Sequence, residues 1–175
     1  DEMIIASRQG KCIRFSEGDV RPMGRDTQGV RAMELAEGDV LVDMLVIDPE
    51  KDILTLTSNG FGKRSSIEDY RLQGRAGKGI KAGVFNEKTG DLVNLKLVGE
   101  DDDIMIISEN GTIIRMHASD ISRIGRNTVG VRVMNVKESK VATVAVTERE
   151  ETEDVALPEE NADAAEAEAS DEENE

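Results

Sequence analysis

Aromatic residues are nearly absent: three Phe, one Tyr and no Trp occur in 175 residues. Single-stranded nucleic acid is gripped by stacking bases on aromatic rings, so that mode is disfavoured. One cysteine, Cys12, excludes an internal disulfide, and one histidine, His117, leaves no His/Cys set for zinc. No apolar stretch approaches the roughly 20 residues that cross a bilayer, and the N-terminus lacks a basic region followed by an apolar one. These absences point to a cytoplasmic protein without membrane contact. No Gly-x4-Gly-Lys-Ser/Thr run is present to cradle nucleotide phosphates. The chain opens at Asp1-Glu2 rather than Met, which reads as a piece of something longer.

What is present is charge, unevenly spread. The formal net charge is -15, from 22 Lys and Arg against 37 Asp and Glu. Fourteen of those acidic residues and a single basic one, Arg149, fall in Glu148–Glu175, so the body before it is close to neutral. A run this acidic and poor in apolar residues cannot offset the entropy of ordering its backbone, so residues 148–175 are expected to be a disordered tail. Two readings of that tail stand side by side: a tethered competitor for basic surface, and a solubilising terminus.

The body repeats. MIIASRQGKCIRF followed by GDVRPMGRDTQGVRAM, ILTLTSNGFGKRSS followed by EDYRLQGRAGKGIKAG, and IMIISENGTIIRMH followed by SDISRIGRNTVGVRVM superpose without internal gaps. The units are residues 1–50, 51–100 and 101–147. Each begins with an aliphatic run too short for a helix (Met3–Ala6, Ile53–Leu56, Ile104–Ile107) and continues through Gln9-Gly10, Asn59-Gly60 or Asn110-Gly111, the dipeptides of tight hairpins whose central residues take positive φ. A second strand therefore returns beside the first. After a Gly-x4-Gly loop comes a third strand (Val30–Met33, Ile80–Ala82, Val131–Met134), and VLVDMLV, LVNLKLV or VATVAV closes the unit. Four strands per unit predict an all-β, propeller-like fold of three four-stranded blades. Such disks usually need about four to eight blades to close, so three blades imply part of a larger disk with strand edges exposed.

Basic residues recur in register: Arg14, Arg64 and Arg115 in the second strand, Arg25, Arg75 and Arg126 in the loop, and Arg31, Lys81 and Arg132 in the third strand. Equivalent positions in a circular array share height and radius, so these columns predict a positive belt suited to a polyanion that wraps. Double-stranded DNA fits, because phosphate contacts from Lys and Arg supply sequence-independent affinity and a curved rim stabilises bent duplex. The competing reading is that some of these arginines pair with the carboxylates of their own blades.

With repeat and belt together, the pattern SENGTIIRMHASDISRIGRNTVGVRVM and the acidic tail after it resemble the C-terminal, DNA-wrapping domains of the DNA gyrase A-subunit family of type IIA topoisomerases. The likeness covers about Met3 to Thr147. It implies a β-pinwheel, in which neighbouring blades exchange strands, and a parent enzyme that introduces negative supercoils into double-stranded DNA with ATP hydrolysis, as an A2B2 assembly with the gyrase B subunit. ATP and Mg²⁺ would be handled by other parts of that assembly; this piece would bind no cofactor and carry no catalytic residue. The family's hallmark box, Gln-Arg-Arg-Gly-Gly-Lys-Gly, is matched by Gln73, Arg75, Gly77, Lys78 and Gly79, with Gly74 in place of Arg and Ala76 in place of Gly. That degenerate copy fits a later blade. The resemblance extends less closely to the A subunit of topoisomerase IV. A kelch-like protein-binding propeller shares the period but would require recurrent aromatics that are missing here.

At the box, glycines let backbone amides approach phosphate while Arg75 and Lys78 supply charge; equally, Gly77 and Gly79 suit a tight turn. Tyr70 aligns with Val20 and Ile121 and reads as a packing residue rather than a nucleophile. Glu100–Asp103 reads as a solvated turn between blades, not a metal site. His117 aligns with Ser16 and Ser66 and is expected at the surface.

Overall fold

The computed structural model describes residues 1–149; the remainder of the acidic run lies outside them, and with it most of the expected disordered tail. Three antiparallel hairpins recur: β1 (Glu2–Ser7) with β2 (Lys11–Ser16), β4 (Asp52–Thr57) with β5 (Phe61–Ser65), and β8 (Asp102–Ser108) with β9 (Ile113–His117). Each first strand pairs on its other side with a closing strand: β3 (Leu41–Val46), β7 (Leu92–Val98) or β11 (Val141–Glu148). The aliphatic runs form these strands because both of their faces are covered; Ile4, Ile53, Leu54, Leu56, Ile104 and Ile106 are fully buried.

The hairpin turns differ from expectation in one detail. Gly10, Gly60 and Gly111 have φ near +80°, but Gln9, Asn59 and Asn110 do not share the left-handed conformation. Each glycine N–H donates to the residue three back, Ser7, Thr57 or Ser108. The connection is a three-residue loop closing on a left-handed glycine, rather than a two-residue turn with both central residues at positive φ.

The third strand does not stay in its own unit. β6 (Ile80–Lys81), from the second unit, pairs with β2 of the first, and β10 (Val131–Arg132), from the third, pairs with β5 of the second. The sheets therefore read β3-β1-β2-β6, β10-β5-β4-β7 and β11-β8-β9. This is the strand exchange of a pinwheel. Val30–Met33 forms no strand, and the third sheet has three strands rather than the expected four. The physical reason is the exchange itself: each such segment needs the second strand of a preceding unit, and Val30–Met33 has none among the described residues.

Two apolar clusters straddle the unit boundaries. Ile4, Ala6 and Cys12 pack with Ile53, Tyr70, Leu92 and Leu95, while Leu54, Leu56 and Val98 pack with Ile104, Ile106, Ile121 and Val144. On the other edge from the exchanged strands, β3 packs on β7 and β7 on β11. Lys96 Nζ (3.0 Å) and the Leu95 amide (3.2 Å) from β7 both donate to the Asp43 carboxylate of β3. β3, β7 and β11 thus line the inner side, and β6 and β10 lie on the outer perimeter.

Candidate nucleic-acid interface

The three arginine columns separate in space. Arg14 is tucked into the seam between the first and second units, its Nε 2.5 Å from Glu2 Oε2 and its Nη1 donating to the Ile67 and Tyr70 carbonyls at 3.0 Å. Arg64 is 5 % exposed in the next seam; its Nε donates to the Ile121 carbonyl at 3.0 Å, and its Nη1 lies 3.7 Å from Asp52 Oδ2. Arg115 meets Asp103 at 2.8 Å. Glu2, Asp52 and Asp103 occupy equivalent positions, so the second-strand column is a repeated Arg–carboxylate pair. For this column the geometry follows the pairing reading: Arg14 and Arg64 face inward, away from any phosphate at the surface.

The other two columns interlock. Arg75 donates through Nε to the Asp19 carbonyl at 3.3 Å and through Nη1 to the Arg31 carbonyl. One unit on, Arg126 donates to the Asp69 carbonyl at 2.9 Å and to the Lys81 carbonyl, and its own amide donates to Asp69 Oδ2 at 3.2 Å. Each loop arginine therefore lies against the third segment of the preceding unit. Arg31 is thus joined to Arg75 across the first unit boundary and Lys81 to Arg126 across the second, with Arg25 and Arg132 at the equivalent loop and third-strand positions and Lys78 in the box loop. Arg25, Arg31, Lys78, Lys81 and Arg132 are exposed, whereas Arg75 and Arg126 are half-buried. Because β6 and β10 carry Lys81 and Arg132, these two cations follow the outer perimeter.

A family model described as DNA gyrase C-terminal domain, beta-propeller, matches residues 1–48, 51–98 and 102–148. The chain belongs to this family. It is 39 % identical over 154 residues to the DNA gyrase A subunit of Staphylococcus epidermidis (strain ATCC 12228 / FDA PCI 1200), covering 86 % of this chain and 17 % of that protein. It is 38 % identical over 170 residues to the DNA gyrase A subunit of Mycolicibacterium smegmatis, covering 95 % and 20 %. The chain thus spans about a fifth of the length of these relatives. Among solved structures it is similar to a DNA gyrase A C-terminal domain, with a TM-score of 0.78, 29 % identity, and coverage of 83 % of this chain and 50 % of that one. A topoisomerase IV C-terminal domain shares the fold, with a TM-score of 0.79 at 23 % identity over 85 % of this chain and 47 % of that one.

The gyrase family's box pattern explains one strained position. Ala76 stands where the family has Gly, and it is held at φ +67°, with its amide donating to the Ala32 carbonyl at 2.7 Å. A Cβ in the left-handed region costs roughly 1–2 kcal/mol. Ala76→Gly is therefore expected to stabilise the fold by about 0.5–1 kcal/mol after the extra freedom of unfolded glycine is subtracted, the reverse of the usual sign. Urea denaturation would show it, and a destabilised variant would contradict the strain. Gly79 serves the turn and the close approach alike: φ is +67°, and a Cβ would run into the Cys12 carbonyl of the neighbouring strand. Gln73 joins the same seam, its amide donating to the Arg14 carbonyl at 2.8 Å. Gly77 and Gly74 have neither a positive φ nor a close contact.

Two site residues escaped the sequence reading. Lys11 lies directly across from Lys81 in the β2–β6 register, yet its sister positions hold Phe61 and Thr112, so no column marked it. Lys63 replaces the Ile13 and Ile114 of its sisters and is 2 % exposed; its ammonium caps the loop of the third unit, donating to the Thr128 carbonyl at 3.0 Å, to Gly125 at 3.3 Å and to Arg126. Only the adjacency of that loop shows what the lysine is for.

Burial, and then the nearby Arg126 charge, lowers the Lys63 ammonium to about 8. Burial also pushes the Cys12 thiol up to about 12 and the Tyr70 phenol above its ordinary range. Above about pH 8 native Lys63 has released a proton that the unfolded chain keeps to 10.5, so stability should rise with pH there, by at most about 1.4 kcal/mol per pH unit. Above 9.0 and 10.0 the unfolded thiol and phenol ionise while the native ones do not, so stability should fall. Lys63 and Cys12 offset each other between 9.0 and 10.0, so the expected profile rises from about pH 8, levels off there and falls above 10.0, and Cys12→Ala should extend the rise and move the falling limb to higher pH. Denaturant titrations across about pH 7 to 11 measure it; a monotonic fall from neutral pH would contradict the Lys63 environment.

Tyr70 is fully buried, as its alignment with Val20 and Ile121 suggested. Asp103 departs from the expected solvated turn: it is buried, and hydrogen bonds from His117 (2.6 Å) and Arg115 hold its carboxyl below the usual range. His117 is half-exposed as expected, but anchored by that carboxylate. Among the described residues no cluster of three or more His, Cys, Asp or Glu is placed to hold a metal.

Proposed function

We propose that this chain is a DNA-binding and DNA-wrapping module of a gyrase A subunit, gripping double-stranded DNA along its outer perimeter. The observation that supports it most is that cationic residues of neighbouring units meet at both unit boundaries, Arg75 with Arg31 and Arg126 with Lys81. Lys11 and Lys81 add to it: like charges directly opposite on paired strands are unfavourable by themselves, and a phosphate between them relieves the repulsion. Contact through the backbone of the duplex, with almost no aromatic surface, gives affinity without sequence preference. In this reading the module orients the duplex, while ATP hydrolysis, Mg²⁺ chemistry, strand cleavage and association with the B subunit of gyrase belong to other parts of the parent A2B2 enzyme. In this reading the module takes no part in catalysis, in keeping with Tyr70, the one tyrosine of the sequence, being sealed in the core. The test is titration of linear duplexes of unrelated sequence at several salt concentrations. Equal affinities that fall steeply with salt are expected; salt-independent binding, or none at low salt, would overturn the reading.

A further inference from the structure

The two seams between units place their cations differently. At the first, the strand beneath the box loop is apolar: Ile13 Cδ1 lies 3.7 Å from where a Cβ on Gly77 would stand, and the charge, Lys78, is on the loop itself. At the second seam both residues change, with Val129 at the position of Lys78 and Lys63 at that of Ile13. The cation has moved from the loop to the strand under it.

The loop backbone changes with it. In the box loop the Ala76 amide is taken up by the Ala32 carbonyl, and Ala76 sits at φ +67°. At the equivalent Asn127 φ is not positive, and the amide makes no hydrogen bond among the described residues. The Lys63 ammonium gathers the carbonyls of Gly125 (3.3 Å), Arg126 and Thr128 (3.0 Å) together with the Thr128 hydroxyl (3.3 Å), and that hydroxyl donates to the Gly125 carbonyl at 2.7 Å. A planar trans peptide sets each N–H opposite its carbonyl, so with the Arg126 and Thr128 carbonyls turned in, the Asn127 and Val129 amides point out. Both residues are exposed. Outward amides above a buried positive charge suit an anion.

We propose that Lys63 is a positioning residue for duplex binding: it folds the 125–128 loop with its carbonyls inward, presents the Asn127 and Val129 amides to a DNA phosphate, and supplies from beneath the loop the charge that Lys78 supplies on it one unit earlier. This rests on the duplex-binding reading and adds to it a phosphate contact at a loop that lacks the box lysine. The groups around the ammonium are Arg126 of the loop, Asp69 of the turn after β5 and Cys12 of β2, while Thr55, opposite on β4, is uncharged. Lys63, held at about 8, changes charge between about pH 7 and 9; Cys12, held at about 12, does not.

The test is titration of linear duplex with the unaltered chain, Lys63→Ile, Val129→Lys and the two changes combined, each checked for folding by urea denaturation. Lys63→Ile, which installs the residue of both sister units, should weaken affinity about tenfold and make the slope of log K against log salt shallower by about 1. Val129→Lys should add little to the unaltered chain, where two ammonium groups compete for one phosphate, yet recover most of the loss in the Lys63→Ile chain. Additive effects of the two changes would overturn the proposal, as would a Lys63→Ile chain that is less stable but keeps the original salt slope. A second measurement needs no Lys63 variant: the affinity of the unaltered chain should fall about fivefold from pH 7 to 9 as Lys63 loses its proton, and Val129→Lys should blunt that fall. An affinity level across that range would overturn the proposal even where Lys63→Ile fails to fold. Absence of any duplex binding by the unaltered chain overturns the wrapping reading and this one together; salt-sensitive binding with additive variants overturns this one alone.

Discussion

Arg64→Ala should lower stability by about 3 kcal/mol, roughly 10 °C in Tm for a fold of this size. The guanidinium is held in the seam between the second and third units, where it serves the Ile121 carbonyl and sits beside Asp52. Truncation leaves that carbonyl without its donor and leaves Asp52, itself mostly buried, with Arg123 alone, at 2.9 Å. Removing one partner of a buried charge pair costs more than the pair contributes, because the survivor remains desolvated. Lysine should not rescue it: an ammonium lacks the planar fork that reaches a carbonyl and a carboxylate in different directions. The damage should be local first, with faster amide exchange at Ile121–Ile124, where the Ser122 carbonyl and Ile124 amide bond the Arg64 backbone. Exchange mass spectrometry together with urea denaturation would measure both; a loss under about 1 kcal/mol would mean the seam does not depend on this residue.

Replacing Arg31, Lys78 and Lys81 together with Gln should reduce duplex affinity by about 10²–10³-fold and make the slope of log K against log salt shallower by about 3. All three are exposed, and none of their side chains carries a bond in the seams, so the fold should be unchanged. That choice matters, because Arg75 and Arg126 each also tie their loop to carbonyls of the preceding unit. Substituting those two would mix a lost phosphate contact with a loosened seam. The matching control is Arg14→Gln, which should affect stability far more than it affects the salt slope. A triple variant that binds duplex like the parent, with the same salt dependence, would remove these three cations from the interface.

How far the sequence reading carried is clearest at the arginines. Three columns looked alike because Arg14, Arg25 and Arg31 recur at the same offsets, and a repeat reports equivalence without direction. Whether a guanidinium points to solvent depends on what the next unit places against it. Glu2, Asp52 and Asp103 were in the sequence, but their pairing with the second-strand arginines appears only once β1 is laid beside β2 with Glu2 opposite Ser16, close to Arg14. Lys63 is the sharper case: the repeat marks it as a cation in a column of isoleucines, Ile13 and Ile114, but only the adjacent loop makes it a buried cap.

The amino-acid sequence alone determined the period, the hairpins, the glycine-closed turns and the near-neutral, aromatic-poor body, since each follows from local patterning: aliphatic runs of strand length, glycine where φ must be positive, and charge counts. Tertiary structure alone decided which strand joins which sheet and which cations stay in water. A strand's side-chain pattern states that it needs two covered faces and a hydrogen-bonded neighbour; it does not name the neighbour. Ile80–Lys81 can pair as well with its own unit as with the one before it, and only the geometry of the seam, with Gly79 lying against Cys12 and Arg75 reaching back to Arg31, selects the exchange.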